Sequence, residues 1–272
     1  MIDWFQAIVL GVVQGLTEFL PVSSTAHVLI ISKLMGWSDP GAAFTAVTQI
    51  GTETAVLIYF RQEIWHIVRC LVNWFRSPRY RNTADSQLAW AVVWGSLPIG
   101  VLGFAFKDII EGDARNLYLV AVMLIAFGAL LIVVERIEFS MKRNSSLTLG
   151  RGVAMGFAQA LALIPGVSRS GATISAGLLL GLERRAATRY AFLLAVPAVL
   201  GSGLYEALKI GDGPVAWGPT LLATVTASAI GFFVISGLLR YLARHTFTAF
   251  GIYRIGLGLG LIGLLNLGLI TQ

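Results

Sequence analysis

Two short polar clusters stand inside segments that are otherwise apolar enough to lie in a membrane. The first occupies residues 14–27, with the sequence QGLTEFLPVSSTAH, and the second occupies residues 159–173, with the sequence QALALIPGVSRSGAT. Hydrocarbon penalises a charge at the centre of a helix by roughly 2.5–3.5 kcal/mol, so such groups are rarely found there without a function. Together the clusters indicate one buried site for an anionic, phosphorylated substrate.

The second cluster has the composition of a phosphate-binding loop. A bend at Pro165 is followed by hydroxyls and by free amides at the start of a helix, and helix N-termini attract phosphate. Arg169 adds a planar fork that matches phosphate oxygens. The hydroxyl residues predicted to bind phosphate beside it are Ser168, Ser170 and Thr173. The alternative is that Arg169 pairs with Glu18 or Glu53 only to hold the bundle together.

The first cluster contains the residue types of a nucleophile and its base. Gln14 and Glu18 are four residues apart and share one helix face. After the break, Ser23 or Ser24 is predicted to cap the returning helix, which places His27 one turn along beside the hydroxyl. Ser24 and His27 are both candidate nucleophiles, with His27 or Glu18 handling protons for the serine. A divalent cation on Glu18 would orient the displacement.

The elements that position these clusters are membrane helices. The chain has 272 residues, of which 56% are hydrophobic and only 12% charged, whereas soluble domains carry about 25% charged residues. The net charge of +6 reflects membrane orientation and not nucleic-acid binding. The single cysteine, Cys70, excludes an internal disulfide and predicts that no cysteine-based metal site exists. Full-length spans are predicted at about 42–60, 88–106, 116–134, 188–208, 217–239 and 249–270.

The segments that carry the clusters, about 2–31 and 150–180, are predicted to be re-entrant hairpins. Each breaks midway, at Pro21 or Pro165, because proline removes a backbone donor and clashes with the preceding turn. Non-helical backbone at membrane depth is tolerated only inside protein or beside a watery cavity. Basic residues concentrate in the connections 61–86, 135–151 and 184–189. These connections are therefore predicted to be cytoplasmic, with both termini outside.

The two halves of the chain are predicted to form an inverted repeat. Gln14 and Ser24 align weakly with Gln159 and Ser168, at an offset of about 145 residues. Each half then holds one hairpin and three spans, an odd number, which inverts the second half, and such repeats build sites for charged substrates. The prediction is a single all-α integral membrane domain over 1–272. It has inverted-topology repeats at about 1–136 and 150–272, with six transmembrane helices and two re-entrant helical hairpins.

Few charges remain inside the membrane once the basic residues are placed in connections. Arg169 and Arg254 are the two basic residues left. Arg254 either binds phosphate or snorkels to the interface, and the first interpretation is slightly preferred. Glu53 either lines the same cavity or hydrogen-bonds across helices, and these alternatives stay open. Ser23 is included among the predicted phosphate ligands, and Gln14 and Thr25 are predicted to support the site.

The clusters resemble the motifs of the undecaprenyl-pyrophosphate phosphatase family, bacterial membrane enzymes linked to bacitracin resistance. The resemblance covers essentially the whole chain and is supported by FLLAVP at 192–197. It implies removal of the terminal phosphate from undecaprenyl pyrophosphate, which recycles the lipid carrier of cell-wall (peptidoglycan) synthesis. It also implies a bacterial cytoplasmic (inner) membrane location, an active site that opens to the periplasmic side, and a divalent cation, Mg²⁺ or Ca²⁺.

The resemblance carries over to individual residues. Glu18 matches the second carboxylate of the family's Glu-x-x-x-Glu pattern, Ser24 and His27 match its nucleophile region, and Arg169 matches its phosphate-binding arginine. This chain has Gln14 where the family usually has glutamate, so the predicted metal ligand is Glu18, alone or aided by Glu53. The expected partners are the isoprenyl pyrophosphate lipid and the bilayer, without nucleic acid, and a homodimer is left open. The alternative function is a lipid or anion transporter, or a flippase, using the same inverted-repeat cavity.

Overall fold

The computed structural model describes residues 2–81, 83–106, 116–138, 146–209 and 216–270, and these residues form an all-α fold. Two short 3₁₀ helices, Pro78–Tyr80 and Leu161–Leu163, accompany the α-helices. The α-helices are α1 (Trp4–Thr17), α2 (Ser24–Leu34), α3 (Gly41–Tyr59), α4 (Arg61–Arg76), α5 (Ala84–Ala105), α6 (Leu117–Glu138), α7 (Leu149–Ala160), α8 (Arg169–Leu179), α9 (Arg184–Lys209), α10 (Trp217–Tyr241) and α11 (Thr248–Asn266).

Five of the described helices are long and apolar enough to cross a membrane, which makes the chain a multi-pass membrane protein. They are α5, α6, α9, α10 and α11, and they coincide with five of the six predicted spans. The remaining predicted span, 42–60, matches α3 in its bounds, although α3 is not among these five. Part of the predicted cytoplasmic connection 135–151, residues 139–145, lies outside the described residues.

The predicted breaks in the two cluster-bearing segments are confirmed. The first helix ends at Thr17 and the next begins at Ser24, while α7 runs into the 3₁₀ turn and α8 begins at Arg169. Each break ends on a serine with positive φ, 75° at Ser23 and 70° at Ser168. A left-handed backbone costs a non-glycine residue about 1–2 kcal/mol, so both serines are held in a strained conformation by their surroundings.

Small residues bring each short helix against a neighbouring span. A Cβ on Gly11 of α1 would lie 2.6 Å from the carbonyl oxygen of Ala223 in α10. In the same way, a Cβ on Gly156 of α7 would overlap the backbone of Gly95 in α5. Close approach through small residues is how membrane helices pack, since lipid gives them no hydrophobic drive to associate. The two breaks are thereby anchored at fixed positions in the bundle.

Aromatic packing against α9 and the end of α3 holds the first break in place. Phe19, within the break, packs edge-to-face on Phe192 of α9, with ring centroids 5.3 Å apart. Phe60, at the end of α3, lies against the same ring at 6.3 Å. All three rings belong to the largest buried apolar cluster among the described residues. The FLLAVP segment therefore supplies part of the core on which the first polar cluster rests.

Candidate functional site

The two clusters, far apart in sequence, meet at the ends of their breaks. Nη2 of Arg169 donates to Oε1 of Glu18 and, at 3.2 Å, to Oε1 of Glu53. Oγ of Ser170 donates to the backbone carbonyl of Leu20 at 3.1 Å. An ion pair and a backbone contact therefore join the first cluster, α3 and the second cluster at one point.

Glu18 is the hub of the site, because its two oxygens bind Gln14, Ser24 and Arg169. Oε2 accepts a 2.5 Å hydrogen bond from the Ser24 hydroxyl and a 2.7 Å bond from Nε2 of Gln14. The Gln14 bond confirms that these two residues share a helix face. Because the Glu18 side chain is only 4% exposed, its charge is balanced by Arg169 and not by bulk water. A serine hydroxyl that already donates to a buried carboxylate has a proton acceptor in place.

His27 has partners other than the hydroxyl predicted beside it. Its Nδ1 lies 2.7 Å from the backbone carbonyl of Ser23, and its Nε2 lies 2.8 Å from the Tyr253 hydroxyl. A carbonyl can only accept, so Nδ1 carries a proton, and in the neutral ring Nε2 accepts from the tyrosine. The His27 and Tyr253 rings also stack, with centroids 5.6 Å apart. Tyr253 joins the site without having been predicted from sequence, where its only signal is its place beside Arg254.

The serines that precede α2 and α8 occupy the N-cap position, but they differ in how they use it. Ser168 accepts a 3.2 Å bond from the backbone amide of Gly171. Ser23 makes no side-chain capping bond, and Ser24, the other predicted cap, is the first residue of α2 and donates to Glu18. The prediction that one of these two hydroxyls caps the returning helix is therefore wrong. The backbone conformation does not account for the difference, since Ser23 and Ser168 have nearly the same positive φ. The first amides of α2 are left without that side-chain acceptor.

Two of the predicted phosphate-binding side chains, Thr173 and Arg254, are buried and donate to backbone carbonyls. The Thr173 hydroxyl donates to the carbonyl of Arg169 at 2.8 Å in its own helix, and the residue is fully buried. Arg254 is also fully buried, so it does not snorkel. Nη1 of Arg254 donates to the carbonyl of Pro21 at 3.2 Å, and its Nη2 donates at 2.7 Å to that of Gly166. Arg254 therefore clips one break to the other instead of facing a ligand.

A cavity of about 490 Å³ opens beside the hub, a size typical of sites for small ligands. Its polar end is lined by Glu18, Ser23, Ser24, Thr25, Ser168 and Arg169. Its apolar part runs along Ile99, Gly100, Gly103, Leu163 and Ile164. The rings of Phe104 and Tyr205, on α5 and α9, also line it and lie 6.4 Å apart. The cavity therefore has a charged region beside Glu18 and Arg169, and next to it an apolar groove, which we call the slot.

The donor set around Arg169 fits a hard divalent cation. Glu53 is completely buried, and its Oε2 has no hydrogen-bond partner among the described residues. The same holds for Oε1 of the buried Gln14. Carboxylate and amide oxygens are the ligands that Mg²⁺ and Ca²⁺ prefer. Glu53 does not line the large cavity but a small second one, together with Glu18 and Arg169, and it accepts a hydrogen bond from Arg169 across helices.

Comparison with known proteins gives a consistent result over nearly the whole length of the chain. The family described as "Bacitracin resistance protein BacA" matches residues 7–260. The chain is 50% identical to the undecaprenyl-diphosphatase of a Nocardioides species, with all of both chains covered. It is 49% identical to undecaprenyl-diphosphatase 2 of Streptomyces avermitilis and 51% identical to undecaprenyl-diphosphatase 3 of Frankia alni. In both cases 99% of this chain and 97% of the relative are covered.

Proposed function

The chain belongs to the bacitracin resistance protein BacA family, and we propose that its site hydrolyses undecaprenyl diphosphate through attack by Ser24. The family resemblance predicted from the motifs is thereby confirmed, and the protein is an undecaprenyl-diphosphatase, a hydrolase. The observation that carries the chemistry is the Ser24 hydroxyl held at 2.5 Å on Glu18, which is itself paired with Arg169. A transporter or flippase has no need of a serine poised on a carboxylate.

The polar and apolar parts of the cavity determine how the substrate lies in it. Its diphosphate lies at the polar end, where Arg169, Ser168 and the first amides of α2 and α8 receive phosphate oxygens. The two carboxylate contacts of Arg169 both use Nη2, which leaves its other donors for phosphate. A tail of eleven isoprene units exceeds a cavity of about 490 Å³, so it continues along the slot beside Gly100 and into the bilayer.

The reaction then follows from the hydrogen bonds of the hub. Oγ of Ser24 attacks the terminal phosphorus while its proton passes to Oε2 of Glu18. The bond from that phosphorus to the bridging oxygen breaks, and undecaprenyl phosphate leaves. Water next attacks the phosphoserine, the bond from phosphorus to Oγ breaks as Glu18 returns its proton to the serine oxygen, and inorganic phosphate leaves with the oxygen and both hydrogens of the water. Arg169 stabilises the charge that develops on the phosphate oxygens in both steps.

His27 is the second candidate nucleophile, and its contacts argue against that role. Both of its ring nitrogens are engaged, with the Ser23 carbonyl and with Tyr253. We assign it to holding the start of α2 in place. Rapid quenching during turnover, followed by mapping of the phosphorylated residue, separates the candidates. Phosphate on Ser24 supports the proposal, and phosphate on His27 overturns it.

The proposal includes a divalent cation, Mg²⁺ or Ca²⁺, held by Glu18 and Glu53 with help from Gln14. When bound, such a cation neutralises phosphate charge and orients the displacement. The support is the buried, unpartnered oxygens on Glu53 and Gln14. Removal of the cation with a chelator is expected to abolish phosphate release, and Mg²⁺ or Ca²⁺ is expected to restore it.

We also propose the finer topology, with α3 as the sixth span and the segments α1–α2 and α7–α8 as oppositely inserted re-entrant hairpins. The support is the pair of strained serines, Ser23 and Ser168, each the last residue of its break, so the residue equivalent to Ser168 is Ser23 and not Ser24 as the sequence alignment had it. Gly11 and Gly156 add a second equivalent pair, each at a close helix contact. With the arginines that precede α5 and the basic start of α9 on the cytoplasmic side, the cavity opens on the periplasmic face. A homodimer stays a prediction.

Phosphate release from undecaprenyl diphosphate by the purified protein tests the function directly. Ser24→Ala and Arg169→Ala are each expected to retain less than about 1% of the rate, since each removes a group that acts on the reacting phosphate. Thr54→Ala is the matched control, because that exposed hydroxyl donates only to the Ile50 carbonyl of its own helix. Release that persists at the wild-type rate in Ser24→Ala contradicts the proposed nucleophile, and no release by the wild type contradicts the function.

A further inference from the structure

A second group of reactive side chains lies at the junction of α4 and α5, among residues that do not line the cavity. His66 and Cys70 are four residues apart on one face of α4, and Asp85 is in the first turn of α5. Oδ2 of Asp85 lies 3.0 Å from Nε2 of His66. Sγ of Cys70 lies 3.6 Å from the same nitrogen. One nitrogen, one sulfur and one oxygen, all within 4.8 Å of one another, therefore converge from two helices.

These distances match the edges of a tetrahedral metal site. With bonds of about 2.0–2.1 Å to nitrogen and oxygen and about 2.3 Å to sulfur, zinc holds its nitrogen and sulfur ligands roughly 3.5 Å apart and its nitrogen and oxygen ligands roughly 3.3 Å apart. The structure has 3.6 Å and 3.0 Å for these two edges. Two of the three edges are therefore within a few tenths of an ångström of this geometry, and the third, between the sulfur and the oxygen, is at most 4.8 Å.

We propose that His66, Cys70 and Asp85 form a binding site for Zn²⁺ or a similar transition-metal ion, with water as the fourth ligand. The mixed donor set favours zinc over the hard cations expected in the cavity, because thiolate and imidazole are poor ligands for Mg²⁺ and Ca²⁺. The proposal differs from the expectation drawn from the single cysteine, because here a histidine and an aspartate would supply the ligands that further cysteines provide elsewhere. Binding converts the Cys70 thiol to a thiolate and releases one proton.

A simpler interpretation leaves the metal out. His66 and Asp85 then form a surface ion pair, with both side chains 56% exposed, and such pairs contribute little. Cys70 is then only a small buried residue. Burial and the nearby Asp85 raise the pKa of the Cys70 thiol, so without a metal the sulfur stays protonated at neutral pH. The two interpretations therefore differ in whether an added metal changes the state of that sulfur.

The chain offers a direct test, because Cys70 is its only cysteine. The full-length protein in detergent, stripped with a chelator, is titrated with Co²⁺ and monitored for the near-ultraviolet thiolate-to-cobalt band. It is then titrated with Zn²⁺ while the rate of maleimide labelling is followed. We expect one cobalt per chain, displaced by Zn²⁺, and labelling that is at least tenfold slower with Zn²⁺ bound.

Variants decide whether the three side chains act together. His66→Ala and Asp85→Asn are expected to remove the Zn²⁺ protection and to weaken Co²⁺ binding at least tenfold. His245→Ala is the control, since that exposed histidine contacts Tyr241 and not this group, and it is expected to leave both readouts unchanged. Absence of a thiolate–cobalt band, or the same Zn²⁺ protection in His66→Ala as in the wild type, overturns the proposal. All variants are expected to keep the phosphatase rate, which separates this test from that of the cavity.

Discussion

A pair of matched substitutions tests whether Glu18 accepts the proton of Ser24. Glu18→Gln keeps the size of the side chain but removes the charge that accepts the serine proton. Glu53→Gln removes the other carboxylate that Arg169 contacts, and it does not touch the serine. Each variant leaves Arg169 with one carboxylate partner, and Glu18→Gln alone alters the contacts with Ser24 and Gln14.

The size of the expected effect follows from these contacts. Loss of a positioned general base lowers the rate about 10²–10⁴-fold, which is about 3–5 kcal/mol in the barrier at roughly 1.36 kcal/mol per tenfold. Removing one member of a buried ion pair destabilises by about 3–5 kcal/mol when the remaining charge has no other partner. Here Arg169 keeps one carboxylate, so both variants should lose less stability than that, and by similar amounts. The difference in rate between them then reports proton transfer.

The assay is kcat for phosphate release at saturating Mg²⁺ or Ca²⁺, together with the thermal unfolding midpoint in detergent. Saturating cation matters because loss of a metal ligand at Glu53 then raises the cation requirement but largely spares kcat. We expect kcat of Glu18→Gln to fall at least 100-fold below that of Glu53→Gln, with similar unfolding midpoints. If kcat of Glu18→Gln lies within tenfold of kcat of Glu53→Gln, Glu18 is not the proton acceptor.

Three further substitutions test the rest of the reasoning. Arg254→Met should destabilise the protein by about 3 kcal/mol, since buried carbonyls at both breaks lose their donor; a raised KM with unchanged thermal stability would instead restore the phosphate-ligand interpretation. Gly100→Leu fills the apolar slot, so it should lower kcat/KM for undecaprenyl diphosphate at least tenfold more than kcat/KM for farnesyl diphosphate. The control Gly237→Leu, on the bundle surface, should change kcat/KM for the two substrates equally. Gln14→Glu places a second carboxylate beside Glu18 and the proposed cation, so phosphate release should need a lower cation concentration, and a cation titration checks this; a higher requirement would contradict a cation at this position.

Local chemistry explains what the sequence alone could predict. The spans are continuous apolar runs, and α10 begins at residue 217 as predicted and ends at Tyr241, two residues past the predicted end. The breaks follow from proline, and the Gln14–Glu18 bond follows from helical spacing. The Thr173 hydroxyl could have been foreseen on the same grounds, since threonines in helices often donate to the carbonyl four residues back.

Long-range packing explains what the sequence could not predict. The partners of Arg254 are carbonyls of both breaks, and no pattern along the chain shows which carbonyls α11 will meet. The stacking of Tyr253 on His27 depends on the same packing of α11 beside α2. A buried arginine in a chain with a charged site suggests ligand binding from sequence, and only its neighbours reveal that it binds backbone.

The clip made by Arg254 and the strained serines are two parts of one arrangement. Positive φ at Ser23 and Ser168 turns the chain sharply before α2 and α8, and a segment free to relax would abandon that conformation. Arg254 prevents the relaxation because it bonds Pro21 on one side and Gly166 and Val167 on the other. Both helix N-termini are then fixed toward one cavity before any substrate enters. Dipoles that are already oriented need no rearrangement as charge develops on phosphate, which is where electrostatic catalysis gains most. The buried arginine thus acts on the reaction through the backbone, although it contacts no reacting atom.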